Sequence, residues 1–267
     1  MTDVSMNQTL DADVLADICS RSCGKPLAII VAGHNGAGKS TMWYECLASD
    51  LKVPMINADR MMASILPPPD GQGDLPSWAI RLRDTDAKWM SVSQKGVESF
   101  TAHATAQQVP FAIETVFSHW RRRFDGSYAS KAELIKTLQA AGYFVVLTFV
   151  GLSNATLSCT RVALRVSRGG HDVAQRKLVS RFSRTQQAIR HAIPIADAAV
   201  LVDNSRDPSQ AFTTSYVSLG KDVLYDIRAE KDPPAEIRAW LDVVVPFSDR
   251  PPANASNGAS GKGAQMH

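Results

Sequence analysis

Gly33, Gly38, Lys39 and Ser40 lie within the stretch VAGHNGAGKST (31–41), directly behind the apolar run PLAII (26–30). Their spacing, G-x-x-x-x-G-K-S, is what a loop wrapped around phosphate groups needs. Glycines let backbone N–H groups converge on phosphate oxygens with no Cβ in the way. The helix-compatible residues that follow add a positive N-terminal end. Gly33, His34, Asn35, Gly36, Ala37, Gly38, Lys39, Ser40 and Thr41 are therefore the expected nucleotide contacts. Lys39 would bridge the β- and γ-phosphates, and the Ser40 hydroxyl would ligate Mg²⁺.

Such a loop serves motors, switches and small kinases alike, so the acidic residues must discriminate. The run VPMI (53–56) leads into Asn57-Ala58-Asp59, and FAI (111–113) leads into Glu114-Thr115. In a parallel sheet both strand ends share an edge with the loop. Asp59 and Glu114 would then face the γ-phosphate from the acceptor side, where a carboxylate can take a proton from an attacking hydroxyl. Asp59 could equally cap the helix of RMMASIL (60–66), and Glu114 could be a partly buried acid paired with an arginine.

Arg161, Arg165 and Arg168, at four- and three-residue spacing, share one helical face. Eight bases against one acid, Asp172, occupy residues 161–190. This suits a lid whose guanidinium groups close over a triphosphate; a solvated basic helix is the plainer account.

Strands alternating with helices must position these groups. The expected strands are PLAIIVAG, VPMIN, PFAIETVF, the run ending YFVVLTFVG, and DAAVLVDNS. Helices are expected over Asp11–Ser20, Pro76 to about Ala106, the run KAELIKTLQAA, and two segments either side of GGHD (169–172). This predicts an α/β fold: a P-loop parallel sheet of about five strands flanked by helices, with an arginine-bearing lid. The expected organisation is an N-terminal helical extension (1–24), a kinase core (25–210), a C-terminal hairpin and helix (211–247) and a disordered Pro/Gly/Ser/Asn-rich tail (248–267).

The composition, 45% hydrophobic and 21% charged over 267 residues, suits a globular domain with a sizeable core. A net charge of +3 does not by itself imply a polyanionic partner. The four cysteines show no metal-ligand spacing, which points to reduced thiols. The N-terminus lacks a signal-peptide pattern and no run is apolar enough for a membrane span. A cytoplasmic protein without a membrane partner is expected.

The ordered set GHNGAGKST, INADRM, FAIETVFS, GYFVVLTFVGL, TRVALRVSRGGHDV and VDNS resembles the zeta toxin family of P-loop kinases over roughly residues 27–205. It is most similar to the compact bacterial branch, in which the arginine helix runs into a Gly-Gly-His turn. The resemblance implies ATP or GTP as phosphate donor, Mg²⁺, and a sugar hydroxyl of UDP-N-acetylglucosamine or a related nucleotide sugar as acceptor. It implies Lys39 and Ser40 as loop residues, Asp59 as base, Glu114 in the sugar pocket beside Asn57 and Thr115, and Arg161 as the first phosphate-binding arginine. Arg165 joins the catalytic set, and Arg168 and Asn204 the nucleotide contacts. The family's second phosphate arginine falls in a segment reading GGHDVA here, so His171, Arg165 or Arg168 would replace it. A neutralising antitoxin encoded elsewhere is implied as well.

Two other functions fit the same loop. A polynucleotide 5′-hydroxyl kinase would use Arg121-Arg122-Arg123 and the 161–190 segment to track a backbone, with steep salt dependence. Few aromatics interleave those bases, which ranks nucleic acid below a small acceptor. A nucleotide-binding regulatory module would need no phosphotransfer at all.

Overall fold

The computed structural model describes residues 12–71, 75–168 and 173–247. The expected disordered tail (248–267) and the GGHD turn (169–172), with His171, lie outside the described residues. Nine strands are described: β1 Leu27–Gly33, β2 Met55–Ile56, β3 Phe111–Thr115, β4 Trp120–Arg122, β5 Tyr128–Ser130, β6 Phe144–Gly151, β7 Ala198–Asp203, β8 Thr213–Leu219 and β9 Asp222–Asp226. The helices are α1 Ala12–Ser20, α2 Lys39–Met42, α3 Ala48–Leu51, α4 Ala58–Ser64, α5 Ser77–Thr85, α6 Ala87–Ala106, α7 Ala132–Ala140, α8 Ala155–Val166, α9 Gln175–Ala192 and α10 Ala235–Val244. A π-helical turn, Trp43–Leu47, joins α2 to α3.

The main sheet runs β2-β3-β1-β6-β7-β8-β9. The first five are mutually parallel, and β8 and β9 add on antiparallel. The five expected strands are thus the parallel set, and the hairpin assigned to a C-terminal addition extends the same sheet to seven. β1, β6 and β7 are apolar runs because both faces of the sheet are covered. Alternation along them divides the core into two layers. Ala28, Ile30, Val145, Leu147 and Phe149 face α7, α9 and α10. Ile29, Val31, Val146 and Val150 face the layer holding Trp43, Leu47 and Leu15 and Ile18 of α1. The N-terminal helix is therefore a packing element of that layer. No helix among the described residues is long and apolar enough to cross a membrane, and all four cysteines are free thiols.

Two local features differ from expectation. The run Pro76–Ala106 is two helices, because Asp86 leaves helical geometry and its carboxylate accepts from the N–H groups of Lys88 and Trp89 to start α6. β4 and β5 form a separate antiparallel ribbon, in which Trp120 stacks on Tyr128 at 4.3 Å between centroids.

α10 braces the carboxyl ends of β6 and β7. Trp240 is fully buried, edge-on to Phe149, and occupies space that a Cβ at Gly151 would need. Its indole N–H donates to Asp203 Oδ1 at 2.8 Å. Trp240→Ala is expected to lower unfolding free energy by ~3–5 kcal/mol through the cavity it leaves. Urea unfolding followed by circular dichroism reads this, and a loss below about 1 kcal/mol would show that α10 is not a working part of the core.

Candidate active site

Strand order reverses across β1, with β3 on one side and β6 on the other, and a crevice opens at the carboxyl end of such a strand. The loop 34–38 lies there. Gly36 has φ 71° and Gly38 φ 89°, backbone that favours glycine. A Cβ at Gly38 would also sit 2.7 Å from Asn204 Nδ2, and one at Gly36 3.1 Å from Arg161 Cβ.

Neighbours outside the loop fix its shape. Ser158 Oγ of α8 donates to Asn35 O (2.7 Å), and Asn204 Nδ2, just past β7, donates to Ala37 O (2.9 Å). His34 is buried, stacked on Phe182 of α9 (3.9 Å between centroids) and edge-on to Phe149. Among the described residues, neither of its ring nitrogens has a hydrogen-bond partner. Burial, with the Lys39 charge nearby, holds its pKa down at about 3, so the ring is neutral and works as a packing surface. The loop and the arginine-bearing helix α9 are thereby in contact.

Lys39 opens α2, and its Nζ donates to His34 O at 3.1 Å. Burial pushes its pKa down, while Glu114 and Asp59 oppose that shift. Glu114 stands opposite Val31 in register at the end of β3. Its Oε1 is 3.7 Å from Lys39 Nζ, and its Oε2 accepts from Ser40 Oγ (2.7 Å) and Asn57 Nδ2 (2.6 Å). Glu114 is thus bound to the loop and a lysine rather than paired with an arginine. Asn57 has two tasks: its amide nitrogen holds Glu114, and its Oδ1 accepts from the N–H groups of Asp59 and Arg60. Asn57, not Asp59, caps α4, because the residue before the first turn owns the geometry that reaches those donors. The Asp59 side chain is left to line the cleft beside Lys39 and Ser40.

That cleft, about 1010 Å³, runs from the loop across β3 to the β4–β5 ribbon. Asn35, Gly36, Lys39, Ser40, Asn57, Asp59, Glu114, Thr115 and Arg165 line it. Gly33, His34 and Ala37 are buried behind the surface, Gly38 is half-buried outside the cleft lining, and Thr41 is exposed on α2, also outside it. The three lid arginines are not presented together. Arg161 turns its Nη1 to Asn204 O (2.6 Å), drawn by that carbonyl and by Asp203, while burial lowers its pKa. Arg165, one turn on, lines the cleft. Arg168 lies beyond the end of α8, exposed.

Several cleft residues were not singled out by sequence. Arg181 and Arg184 of α9, Arg60, Arg83, His119 and Lys131 also line it. Lys131 Nζ donates to Thr115 Oγ1 at 2.6 Å. The excess of bases over 161–190 was the signal for the α9 pair; a lone lysine before a helix offered none. Among the described residues, no group of three or more His, Cys, Asp or Glu is placed to hold a metal. Ser40 Oγ and the Glu114 carboxylate are hard oxygen donors in contact, which fits Mg²⁺ completed by phosphate oxygens and water.

Residues 12–207 match the family described as Zeta toxin. An uncharacterized protein of Haemophilus influenzae is 28% identical over 148 residues, 55% of this chain and 86% of that one. Among solved structures, the native AvrRxo1-ORF1:-ORF2 complex has a TM-score of 0.54 at 16% identity, over 79% of this chain and 64% of that chain. The same pair with ATP gives 0.52, over 79% and 67%. A chain of the PezAT toxin-antitoxin system of Streptococcus pneumoniae gives 0.48 at 14% identity, over 91% and 88%.

Proposed function

The chain belongs to the zeta toxin family of P-loop phosphotransferases, and on that premise we propose that it moves the γ-phosphoryl group of ATP or GTP to a hydroxyl of a small acceptor, foremost a nucleotide sugar such as UDP-N-acetylglucosamine. One observation carries the reading: Lys39, Ser40, Glu114 and Asp59, from three separate stretches of chain, line one cleft at the carboxyl edge of the sheet.

The chemistry asks mainly for positioning and charge. Lys39 holds the phosphate oxygens, its ammonium steadied by His34 O and Glu114. Asp59 receives the acceptor's hydroxyl proton as that oxygen bonds to phosphorus and the bridging P–O bond to the departing nucleoside diphosphate breaks. Arg165 is the lid arginine that faces the transferring group from the cleft wall. Arg161 would join it by releasing Asn204 O, and otherwise anchors α8 to the end of β7. Ser40 and Glu114 would hold Mg²⁺, which screens the charge on the phosphate oxygens when bound. Asn204 and the loop glycines shape the nucleotide end, and Asn57 and Thr115 the acceptor end. A protein partner that neutralises the activity belongs to the same reading.

Incubating the protein with ATP or GTP, Mg²⁺ and a panel of nucleotide sugars, with a 5′-hydroxyl oligonucleotide alongside, tests this. A sugar gaining the mass of one phosphoryl group is the expected result. Transfer to the oligonucleotide alone, or to nothing in the panel, would withdraw the acceptor assignment.

A further inference from the structure

Two cations in the cleft wall have no structural explanation. Lys131 is half-buried, yet no carboxylate among the described residues pairs with it; its one hydrogen-bond partner is the neutral hydroxyl of Thr115. It also stands at the N-cap of α7, where the positive end of the helix disfavours an ammonium group and where Ser130 Oγ already accepts from the Ala132 N–H. Burial lowers its pKa, against a weaker pull from Glu98. Arg181 is half-buried on α9 and makes no hydrogen bond or ion pair with the described residues. For Lys131, burial against a neutral hydroxyl disfavours the charged form, and Glu98 offsets that only in part.

Both lie against the same short stretch of β3 and the segment after it. Lys131 bonds to Thr115, one residue past Glu114. Arg181 is one helical turn before Thr185, whose hydroxyl donates to Val116 O at 3.2 Å. Lys131 Nζ thus sits beside Thr115, past the Glu114–Lys39 pair, and Arg181 lines the same cleft from the stretch of α9 that bonds to Val116. Among the described residues, the carboxylates lining the cleft are Asp59 and Glu114, both at the loop end.

We propose that Lys131 and Arg181 form the subsite that selects the acceptor, by holding a phosphate or carboxylate group the acceptor carries in addition to the hydroxyl it offers. This rests on the phosphotransferase reading above and sharpens it. The anion, not the sugar ring or a nucleoside, is the main handle, so a charged sugar without a nucleoside binds and its neutral counterpart does not.

Matched probes test it on the full chain: N-acetylglucosamine, its 1-phosphate, and N-acetylmuramate, which adds a carboxylate. Calorimetry gives each dissociation constant, and mass spectrometry with ATP and Mg²⁺ follows transfer. The wild type is expected to bind at least one charged probe ~10-fold or more tighter than N-acetylglucosamine, the worth of one charge-assisted contact. Which charged probe wins assigns phosphate or carboxylate. Lys131→Met should collapse the charged-to-neutral ratio, and Lys131→Arg should restore most of it. Arg181→Met, on a helix surface, gives the same reading should Lys131→Met fail to fold. A wild type that treats charged and neutral sugars alike, or variants that weaken both equally, would overturn the subsite. Charge-selective binding with no transfer either to these probes or to the nucleotide-sugar panel would instead overturn the transferase reading and leave the subsite standing.

Discussion

Lys39→Met is expected to lower kcat/KM for phosphotransfer by ~10³-fold or more, the scale seen when a preorganised charge facing a transferring group is lost. It should do so with little change in folding stability. The ammonium is buried, and burial is the largest influence on its pKa, which is pushed down despite Glu114 and Asp59. A base whose pKa falls on folding is one whose charged form the fold disfavours. Removing that charge relieves the cost, while Glu114 keeps its two donors, Ser40 Oγ and Asn57 Nδ2. The loss of a nearby cation for Glu114 works the other way, and methionine fills much of the vacated volume. The two effects should cancel to within about 1 kcal/mol. Urea unfolding of wild type and variant, beside initial rates of nucleoside diphosphate release in the presence of acceptor, separates the outcomes. A variant that keeps its rate would remove the loop from the chemistry. One that loses both rate and several kcal/mol would make Lys39 a structural ion-pair partner instead.

The parts legible from sequence are those set by local pattern. The loop's spacing and the buried strands on either side of β1 could be read because a doubly covered parallel sheet imposes continuous apolar runs. Cap chemistry was readable in kind, with Asp59 left open between base and cap, but not in place. Asp59 and Asn57 are both plausible caps two residues apart, and only the fold shows Asn57 taking the role. Asp86 was overlooked because the apolar spacing either side of it continues almost in phase across the break.

What stayed hidden depends on contacts between distant segments. Lys131 is an ordinary lysine in sequence; Thr115 of β3, Arg181 of α9 and the β4–β5 ribbon together make its surroundings. The spacing of Arg161 and Arg165 correctly puts them on one helical face, yet a carbonyl contributed by Asn204 turns the first guanidinium away. Arg168 fails for a simpler reason, since α8 ends before reaching it. Periodicity fixes where a side chain starts, and tertiary partners decide where its charge ends up.

Asp59→Asn is expected to lower kcat by ~10²–10⁴-fold, the usual worth of a positioned general base, with nucleotide affinity kept. The geometry allows a clean test. Asp59 is the second residue of α4, and the fold uses its backbone N–H, which donates to Asn57 Oδ1 and survives the substitution. The carboxylate in that first turn is worth ~0.3–1 kcal/mol to the helix, so the variant should fold. The carboxylate's remaining influence within the protein is on Lys39, which it helps keep charged. The amide should therefore bind the acceptor hydroxyl without accepting its proton, leaving KM nearly unchanged while kcat falls. Two measurements decide it: nucleotide binding by calorimetry, and single-turnover transfer to whichever acceptor the panel identifies. Transfer at the wild-type rate would mean the carboxylate serves only the positive end of α4, and the acceptor proton would have to leave by another route. Loss of nucleotide binding together with transfer would mean that Asp59 acts through Lys39 and holds the donor. A fall in kcat alone is the result that only a base facing the acceptor explains.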